Sequence, residues 1–375
     1  MARFQSHVAL FMTYLGGGGA ERVMFNLANG LIEQQVRVDF VVGSAWGSHV
    51  KKVPDQVKLV DLKATGVRQT TFALTNYLKQ EKPNSLLSAQ HFANEMAIWA
   101  KRLARVSTTV VVSEHNTLSR AIQHTTRLRS YLIPRFIRYF YPWADEIVAV
   151  SKGVAHDLAK NTGLPADRIQ TIYNSVVTPE VLEKARMSVD HPWFNPGEPP
   201  VILGVGKLEA QKDFPNLIQA FAQVREQQAA RLMILGWGPD QSRLENLAKQ
   251  LGVADDVALP GYVDNPYPYM ANAKVFVLSS AWEGLPTVLI EAMAVGTPVV
   301  STDCPSGPGE ILDQGQYGLL CPVGDSQALA QAILDVLNGD STKPIDPSWL
   351  EQFTIAAATQ KYMRALGVGS PSDAN

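Results

Sequence analysis

Two carboxylates, Glu283 and Glu291, and two lysines, Lys207 and Lys212, are the residues of this chain whose types and spacing could do chemistry. Glu283 sits in AWEGLP, a turn-like break after the strand-length apolar run VFVLSS. Glu291 sits in TVLIEAMAVG, a helical stretch that Pro286 opens and Gly296 stops. The apolar run TPVVST follows at once, so the order is that of a βαβ unit and implies a parallel sheet. Open sheets of that kind bind ligands at the carboxyl ends of their strands. The turn Gly284–Thr287 (Gly284, Leu285, Pro286, Thr287) would offer its amides at the positive end of a helix, which suits the phosphates of a nucleotide. Glu283 could then accept hydrogen bonds from hydroxyl groups, and Glu291, one turn in, could reach a ribose diol. A solvated acid at a helix start accounts for the spacing equally well. A glycosidase pair is a third reading, but its two acids must flank one bond from opposite sides, which a loop and its adjoining helix do poorly.

Lys207 and Lys212 flank the loop between the strand-like VILGVGKL and the helical DFPNLIQAFAQVREQ, where cations could neutralise a diphosphate; most surface lysines are only solvated. Near the start, the strand-like HVALFMT runs into Tyr14–Ala20, with Gly16, Gly17, Gly18 and Gly19, and then into a helical face of Val23, Leu27 and Leu31. Four glycines there let backbone amides approach a phosphate, although the loop is neither GxGxxG nor a P-loop, and a plain turn fits as well. VVVSEHNT releases Glu114, His115 and Asn116 from the carboxyl end of a buried strand, where a lone histidine is more often structural. Gly236, Gly238 and Val263 lie at the ends of the strand-like runs RLMILGWGPD and VALPGYVDN.

These segments resemble one family. EGLPTVLIE is similar to the E-x7-E motif of the retaining glycosyltransferases of family 4, of the bacterial polysaccharide and lipid-glycan type, which have the GT-B fold. NPYPYMANAKVFVLSS and GTPVVSTDCPSGPGEIL extend the resemblance over most of the second half. It implies donor-sugar contacts for Glu283, ribose contacts for Glu291, and diphosphate contacts for Lys212. Lys207 stands where the family's G-[RK]-L-x-x-x-K element usually has arginine, and an ammonium cannot reproduce the guanidinium fork. The family's glycine-rich first loop before AER faces the donor diphosphate and acceptor, which implicates Gly17 and Gly18. A His or Asp at the position of His115 meets the sugar, its phosphate or the acceptor, with Asn116 beside it. Gly236 and Val263 would line the base through their backbone.

The 375 residues suffice for two domains with full cores, and the composition is that of a globular protein. Strand-like and helical runs alternate through both halves, as in Rossmann-like α/β domains. The expected division is an acceptor-side domain over 1–177, a proline-rich linker over 178–200, a nucleotide-sugar domain over 201–345, and a terminal helix and tail over 346–375. The GT-B resemblance implies two domains facing across a cleft, with that helix crossing back to the first. Cys304 and Cys321 form no disulfide framework or zinc spacing, so a reducing, cytoplasmic compartment is expected. MARFQSHVALFMTYL meets GGGG instead of a cleavage site and reads as a first strand, and no run reaches the ~20 apolar residues of a membrane span.

The net charge of −2 hides an asymmetry: Met1–Glu180 has 21 basic against 13 acidic residues (+8), the remainder 12 against 22 (−10). A basic first half points to an anionic surface or substrate, although charge drift between domains gives the same numbers. Between Glu114 and Asp145 there is no acid, and Arg120, Arg127, Arg129, Arg135 and Arg138 alternate with Tyr131, Phe136, Tyr139, Phe140, Tyr141 and Trp143. Such a basic, aromatic stretch (119–143) could lie on an anionic membrane or simply cover the domain; no motif supports nucleic acid. The resemblance implies transfer of a hexose or N-acetylhexosamine, with retention, from a nucleotide-sugar, UDP foremost, to a glycan or polyprenyl-lipid-linked acceptor. No D-x-D motif is present, and the resemblance, to a family whose members of this type need no metal, implies that no metal or cofactor takes part. A non-catalytic nucleotide-sugar sensor, a membrane-surface protein, and a sucrose- or glycogen-type enzyme with a soluble acceptor are the alternatives.

Overall fold

The computed structural model describes residues 6–16, 18–47, 49–119, 132–340 and 344–369. The chain divides into two compact units, Met1–Val176 with Gln352–Asn375, and Val177–Glu351.

In the first unit the apolar runs become strands β1 (His7–Met12), β2 (Arg37–Val42), β3 (Lys58–Asp61), β4 (Ser85–Ala89), β5 (Thr109–Glu114), β6 (Glu146–Ala149) and β7 (Ile169–Thr171). Helices α1 (Gly19–Glu33), α2 (Val67–Glu81), α3 (His91–Ala104), α4 (Ile133–Phe140) and α5 (Lys152–Thr162) connect them. All pairings are parallel, in the order β3-β2-β1-β4-β5-β6-β7. The inner strands are largely apolar and buried because helices cover both faces of such a sheet, whereas β3 at the edge is exposed or half-buried. The chain enters at β1, winds outward to β3, then returns to β4 and winds the other way. The direction reverses between β1 and β4, and such a switch point opens a crevice at the carboxyl edge.

The second unit begins with α6 (Pro179–Ala185) and continues through β8 (Val201–Val205), α7 (Phe214–Gln227), β9 (Arg231–Leu235), α8 (Gln241–Gln250), β10 (Val257–Gly261) and α9 (Tyr267–Asn272). It then runs through β11 (Val275–Leu278), α10 (Thr287–Ala294), β12 (Val299–Thr302), α11 (Pro308–Ile311), β13 (Leu319–Cys321), α12 (Ser326–Asn338) and α13 (Pro347–Leu350). Its order, β10-β9-β8-β11-β12-β13, is again all parallel and reverses between β8 and β11. The proline-rich stretch before β8 carries α6, capped where Thr178 Oγ1 accepts from Val181 N at 3.1 Å. It belongs to the second unit, with the Phe194 ring edge-on to Tyr269 at 5.6 Å.

The terminal segment WLEQFTIAAATQKYMRAL, read as one helix, is two. A 3-10 turn, Glu351–Phe353, separates α13 from α14 (Ile355–Ala365), and Thr354 caps α14 by accepting from Ala357 N at 3.3 Å. Burial of Phe353, whose ring meets Tyr173 at 5.2 Å, fixes the break. The α14 helix packs on α1 in the first unit, where a Cβ on Gly30 would fall 2.0 Å from Thr359 Oγ1. The expected terminal helix of the first unit is thus α14 alone, and Val368 beyond it remains buried.

Candidate active site: a lysine–glutamate pair at the second switch point

The loops that leave β8 and β11 flank the second unit's switch point, and each contributes one partner of a buried ion pair. The β8 loop ends in a 3-10 turn, Ala210–Lys212, and the β11 loop carries Glu283. Lys212 Nζ donates to Glu283 Oε1 at 2.6 Å, joining residues 71 positions apart. Ser280 Oγ donates to the same oxygen at 2.6 Å, and Gln211 Nε2 donates to Oε2 at 3.3 Å and to the Trp282 carbonyl at 3.1 Å. The loops are also stitched by Ser279 Oγ to the Lys212 carbonyl at 2.7 Å and Ala281 N to the Gln211 carbonyl at 2.9 Å. From β12, Thr302 Oγ1 donates to the Ser280 carbonyl at 2.6 Å. Glu283 is buried and Lys212 mostly so, which removes both from the screening that makes surface ion pairs weak.

Sequence reading had named the pair but not Gln211, Ser279, Ser280 or Thr302. The available signal was two serines at the end of a buried strand and an amide beside the lysine. Cys304 lies near the pair, and burial, then the negative Glu283, pushes its thiol up to about 12, so it stays a neutral thiol.

Beyond Glu283 the chain turns through Gly284, Leu285 and Pro286, all buried, into Thr287 at the start of α10. Pro286 has no N–H, so the turn's expected amide donors reduce to Gly284, Leu285 and Thr287. Its role is the N-cap of α10, and its carbonyl accepts from Leu289 N at 3.2 Å. Ser306 Oγ holds the Gly284 carbonyl at 2.9 Å, and Gly307, at φ +96°, lets that loop pass where a Cβ would stand 2.5 Å from Pro286 Cδ. Glu291 on α10 is 1% exposed, so it is no solvated helix-face acid.

Lys207, on the β8 loop, is exposed and has no hydrogen bond to the Lys212–Glu283 group. Gly236, at φ +149°, lies against Gly206, whose carbonyl oxygen would be 1.8 Å from a Cβ; packing demands this glycine whatever it lines. Val263 is half-buried after Gly261, whose carbonyl accepts from Gly236 N at 2.9 Å.

At the first unit's edge Gly17 lies outside the described residues. Gly16 N and Gly18 N donate to the two oxygens of Glu21 at 3.1 and 3.0 Å, so a carboxylate of α1 itself holds the amides expected to meet phosphate. Glu21, three residues after its N-cap Gly18, carries the glutamate half of a capping box, a signal that was legible. His115 leaves β5 buried, with Nε2 at 3.3 Å from Ser113 Oγ, which also meets Tyr362 OH of α14 at 3.3 Å. Burial lowers the imidazole to about 4, so His115 is neutral near pH 7. Asn116 beside it is exposed. Beneath lies a network that sequence reading missed: Asn94 Nδ2 donates to the Ser113 carbonyl at 3.0 Å and Glu114 Oε1 at 3.1 Å, and Tyr141 OH donates to the same Glu114 oxygen.

Two doubly wound α/β units with their charged cluster at a carboxyl-edge switch point fit the GT-B class. A domain model described as glycosyltransferase family 4 matches residues 17–179, and one described as glycosyl transferases group 1 matches 189–345. The chain belongs to this glycosyltransferase family. It is 27% identical over 347 residues to the N-acetylgalactosamine-N,N'-diacetylbacillosaminyl-diphospho-undecaprenol 4-alpha-N-acetylgalactosaminyltransferase of Campylobacter jejuni, covering 90% of this chain and 91% of that protein. It is 28% identical to the lipopolysaccharide core biosynthesis glycosyltransferase LpsE of Rhizobium meliloti, covering 93% and 96%. Among solved structures, HepE of Anabaena in complex with UDP-glucose superposes with a TM-score of 0.72 at 18% identity, covering 96% of each chain.

Proposed function

We propose that this glycosyltransferase moves a hexose or N-acetylhexosamine from a UDP-sugar to a lipid-linked glycan, with retention at the anomeric carbon. The observation that carries the reading is the buried Lys212–Glu283 pair across the second switch point. Lys212 has three N–H donors and gives one to Glu283; the others suit the leaving diphosphate, whose charge grows in the transition state. Glu283, positioned by Gln211 and Ser280, accepts from donor-sugar hydroxyls, and the Gly284, Leu285 and Thr287 amides approach the phosphates. Glu291 takes the ribose, Lys207 adds charge at the loop, and Gly236 and Val263 line the base. His115, neutral and held by Ser113, and Asn116 meet the sugar or the acceptor. The acceptor oxygen attacks as the sugar–phosphate bond breaks on the same face, and the departing phosphate oxygen takes the acceptor proton.

Lys212 supplies beside the leaving diphosphate the positive charge that a metal ion brings in other transferases, and the reading needs no metal. UDP is favoured by the UDP-glucose complex of HepE, and a diphospho-lipid glycan by the name of the Campylobacter relative.

The first unit also carries an aromatic and basic patch suited to an anionic membrane surface. Trp99, Phe136, Phe140 and Trp143 form a chain of ring contacts at 5.3–5.7 Å. Tyr139, Arg135 and Arg138 are exposed beside it, and the Arg102 guanidinium lies 3.8 Å over Trp143. Arginines reach lipid phosphates while rings sit at headgroup depth. Arg120, Arg127, Arg129 and Tyr131 of the same stretch lie outside the described residues. Among those described, no helix is long and apolar enough to cross a membrane.

The test is a thermal-shift screen of UDP-, GDP- and ADP-sugars, followed by mass spectrometry with a lipid extract as acceptor and EDTA present. The expected result is one hexose or N-acetylhexosamine added to a lipid, with the donor's anomeric configuration kept in the product's proton coupling. Donor binding with neither transfer nor hydrolysis would make the protein a sensor instead.

A further inference from the structure

At the carboxyl edge of the first unit two large aromatic side chains stand in solvent: Tyr14, after β1, is 50% exposed and Trp46, after β2, is 69% exposed. Their ring centroids are 6.3 Å apart with planes at 61°, so the rings make an open corner. The loops that carry them are held without them. Ser44 N donates to the Thr13 carbonyl at 3.2 Å, Leu15 N to the Trp46 carbonyl at 3.1 Å, and His49 N to the Leu15 carbonyl at 3.3 Å. Leu15, fully buried, anchors the first loop in the core. Gly47, at φ +120°, closes the second, where a Cβ would stand 1.9 Å from the Leu15 carbonyl oxygen. Two stitched loops therefore hold two apolar faces in water that the fold does not use.

We propose that Tyr14 and Trp46 are a stacking corner for a pyranose ring of the acceptor, a specificity element that selects acceptors of two or more sugars; this rests on the transferase reading above. A pyranose presents a face of slightly positive C–H groups, which complements the negative face of an aromatic ring, and its hydroxyls stay solvated at the rim. Rings fixed on tight loops lose little conformational freedom on binding. Position sets the length. In the order β2-β1-β4-β5, Trp46 leaves a strand three spacings from that of His115 and Tyr14 one two spacings away, at roughly 4.8 Å per spacing. That is more than one sugar ring spans, so the stacked ring is a neighbour of the one that reacts near His115.

The experiment is saturation-transfer NMR on the full chain with UDP, using lactose, cellobiose, N,N'-diacetylchitobiose, their monosaccharides and decyl maltoside as probes. At least one disaccharide should show ring C–H saturation and bind about tenfold more tightly than its monosaccharides. Trp46→Ala and Tyr14→Ala should each weaken it by about tenfold, Trp46→Phe by less, with UDP affinity and melting temperature unchanged. Equal disaccharide binding by both alanine variants, or none by a wild-type protein that binds UDP, would overturn the corner and leave the transferase reading standing. Saturation of the decyl chain instead of sugar protons also overturns it, in favour of a lipid. Disaccharide binding through the corner by a protein that takes no nucleotide would overturn the transferase reading and, with it, the corner's role in choosing acceptors, leaving a sugar-binding site alone.

Discussion

At the switch point of the second unit an ammonium and a carboxylate face each other at 2.6 Å, whereas in the first unit the glycine loop is closed by Glu21 of its own helix. The contrast extends along both edges. The second unit offers Lys207, Lys212, Glu283 and Glu291; the first offers a neutral His115 and the exposed rings of Tyr14 and Trp46. A shared topology supplies a crevice but not its chemistry, which comes from what the loops carry. A fixed charge pair suits a step in which charge develops on a phosphate, and a neutral, aromatic edge suits a hydroxyl-bearing acceptor. The comparison breaks if the two edges respond alike to substitution.

The largest expected effect is at the pair. Glu283→Ala and Lys212→Ala should each lower kcat by about 100- to 1000-fold. The double variant should lose much less than the product of the two, because either single change leaves a buried charge without its partner. Glu291→Gln should mainly weaken donor binding. Near-full turnover by either single alanine variant, folded by circular dichroism, would remove the second edge from the chemistry.

A smaller effect belongs to the first unit. If its patch meets anionic lipid, Arg135→Gln with Arg138→Gln should reduce binding to phosphatidylserine vesicles by about 30-fold, at roughly 1 kcal/mol per charge, and raising the salt should weaken the wild type in the same direction. Vesicle binding unaffected by either change would leave packing as the patch's role.

Much of this contrast was readable in advance. The alternation of apolar runs predicted both sheets, and the spacing of Glu283 and Glu291 placed one on a loop and the other on the helix after it. What periodicity cannot carry is contact across the chain: the Lys212–Glu283 bond closes over 71 residues, and Asn94 reaches Tyr141 over 47. Glycine spacing advertises free amides but does not show that the Gly16 and Gly18 N–H groups already bind a carboxylate inside the next helix. Pro286 was counted among amide donors by position, although its ring nitrogen has no proton to give. The terminal helix was drawn too long because its apolar period runs on through Phe353, which turns into the core where Thr354 starts a new helix.

The smallest effect tests whether the first edge is neutral by construction. Burial raises Glu114 to about 7, with Glu95 adding to the rise, while the hydrogen bonds from Tyr141 and Asn94 oppose it. A carboxyl whose folded pKa lies above its unfolded value near 4.5 binds more protons folded than unfolded between those values, so stability falls as pH rises through that window and levels off above it. His91 and His115, both lowered to about 4 by burial, are neutral in the folded protein from pH 6 upward, while their unfolded imidazoles still titrate near 6.5; that slope is the same in variant and wild type and cancels in the difference. Glu114→Gln keeps an oxygen for Tyr141 and removes the ionisation. Relative to wild type it should therefore gain about 1 kcal/mol between pH 6 and 8, a few degrees in melting temperature. Glu95 is raised to about 7 in the same way and titrates in both proteins, so it largely cancels in the difference. A variant-minus-wild-type difference that stays flat over that range would mean that Glu114 is ionised in the folded protein. The first edge would then hold a buried negative charge beneath His115, and the neutral-against-charged contrast between the two units would fail.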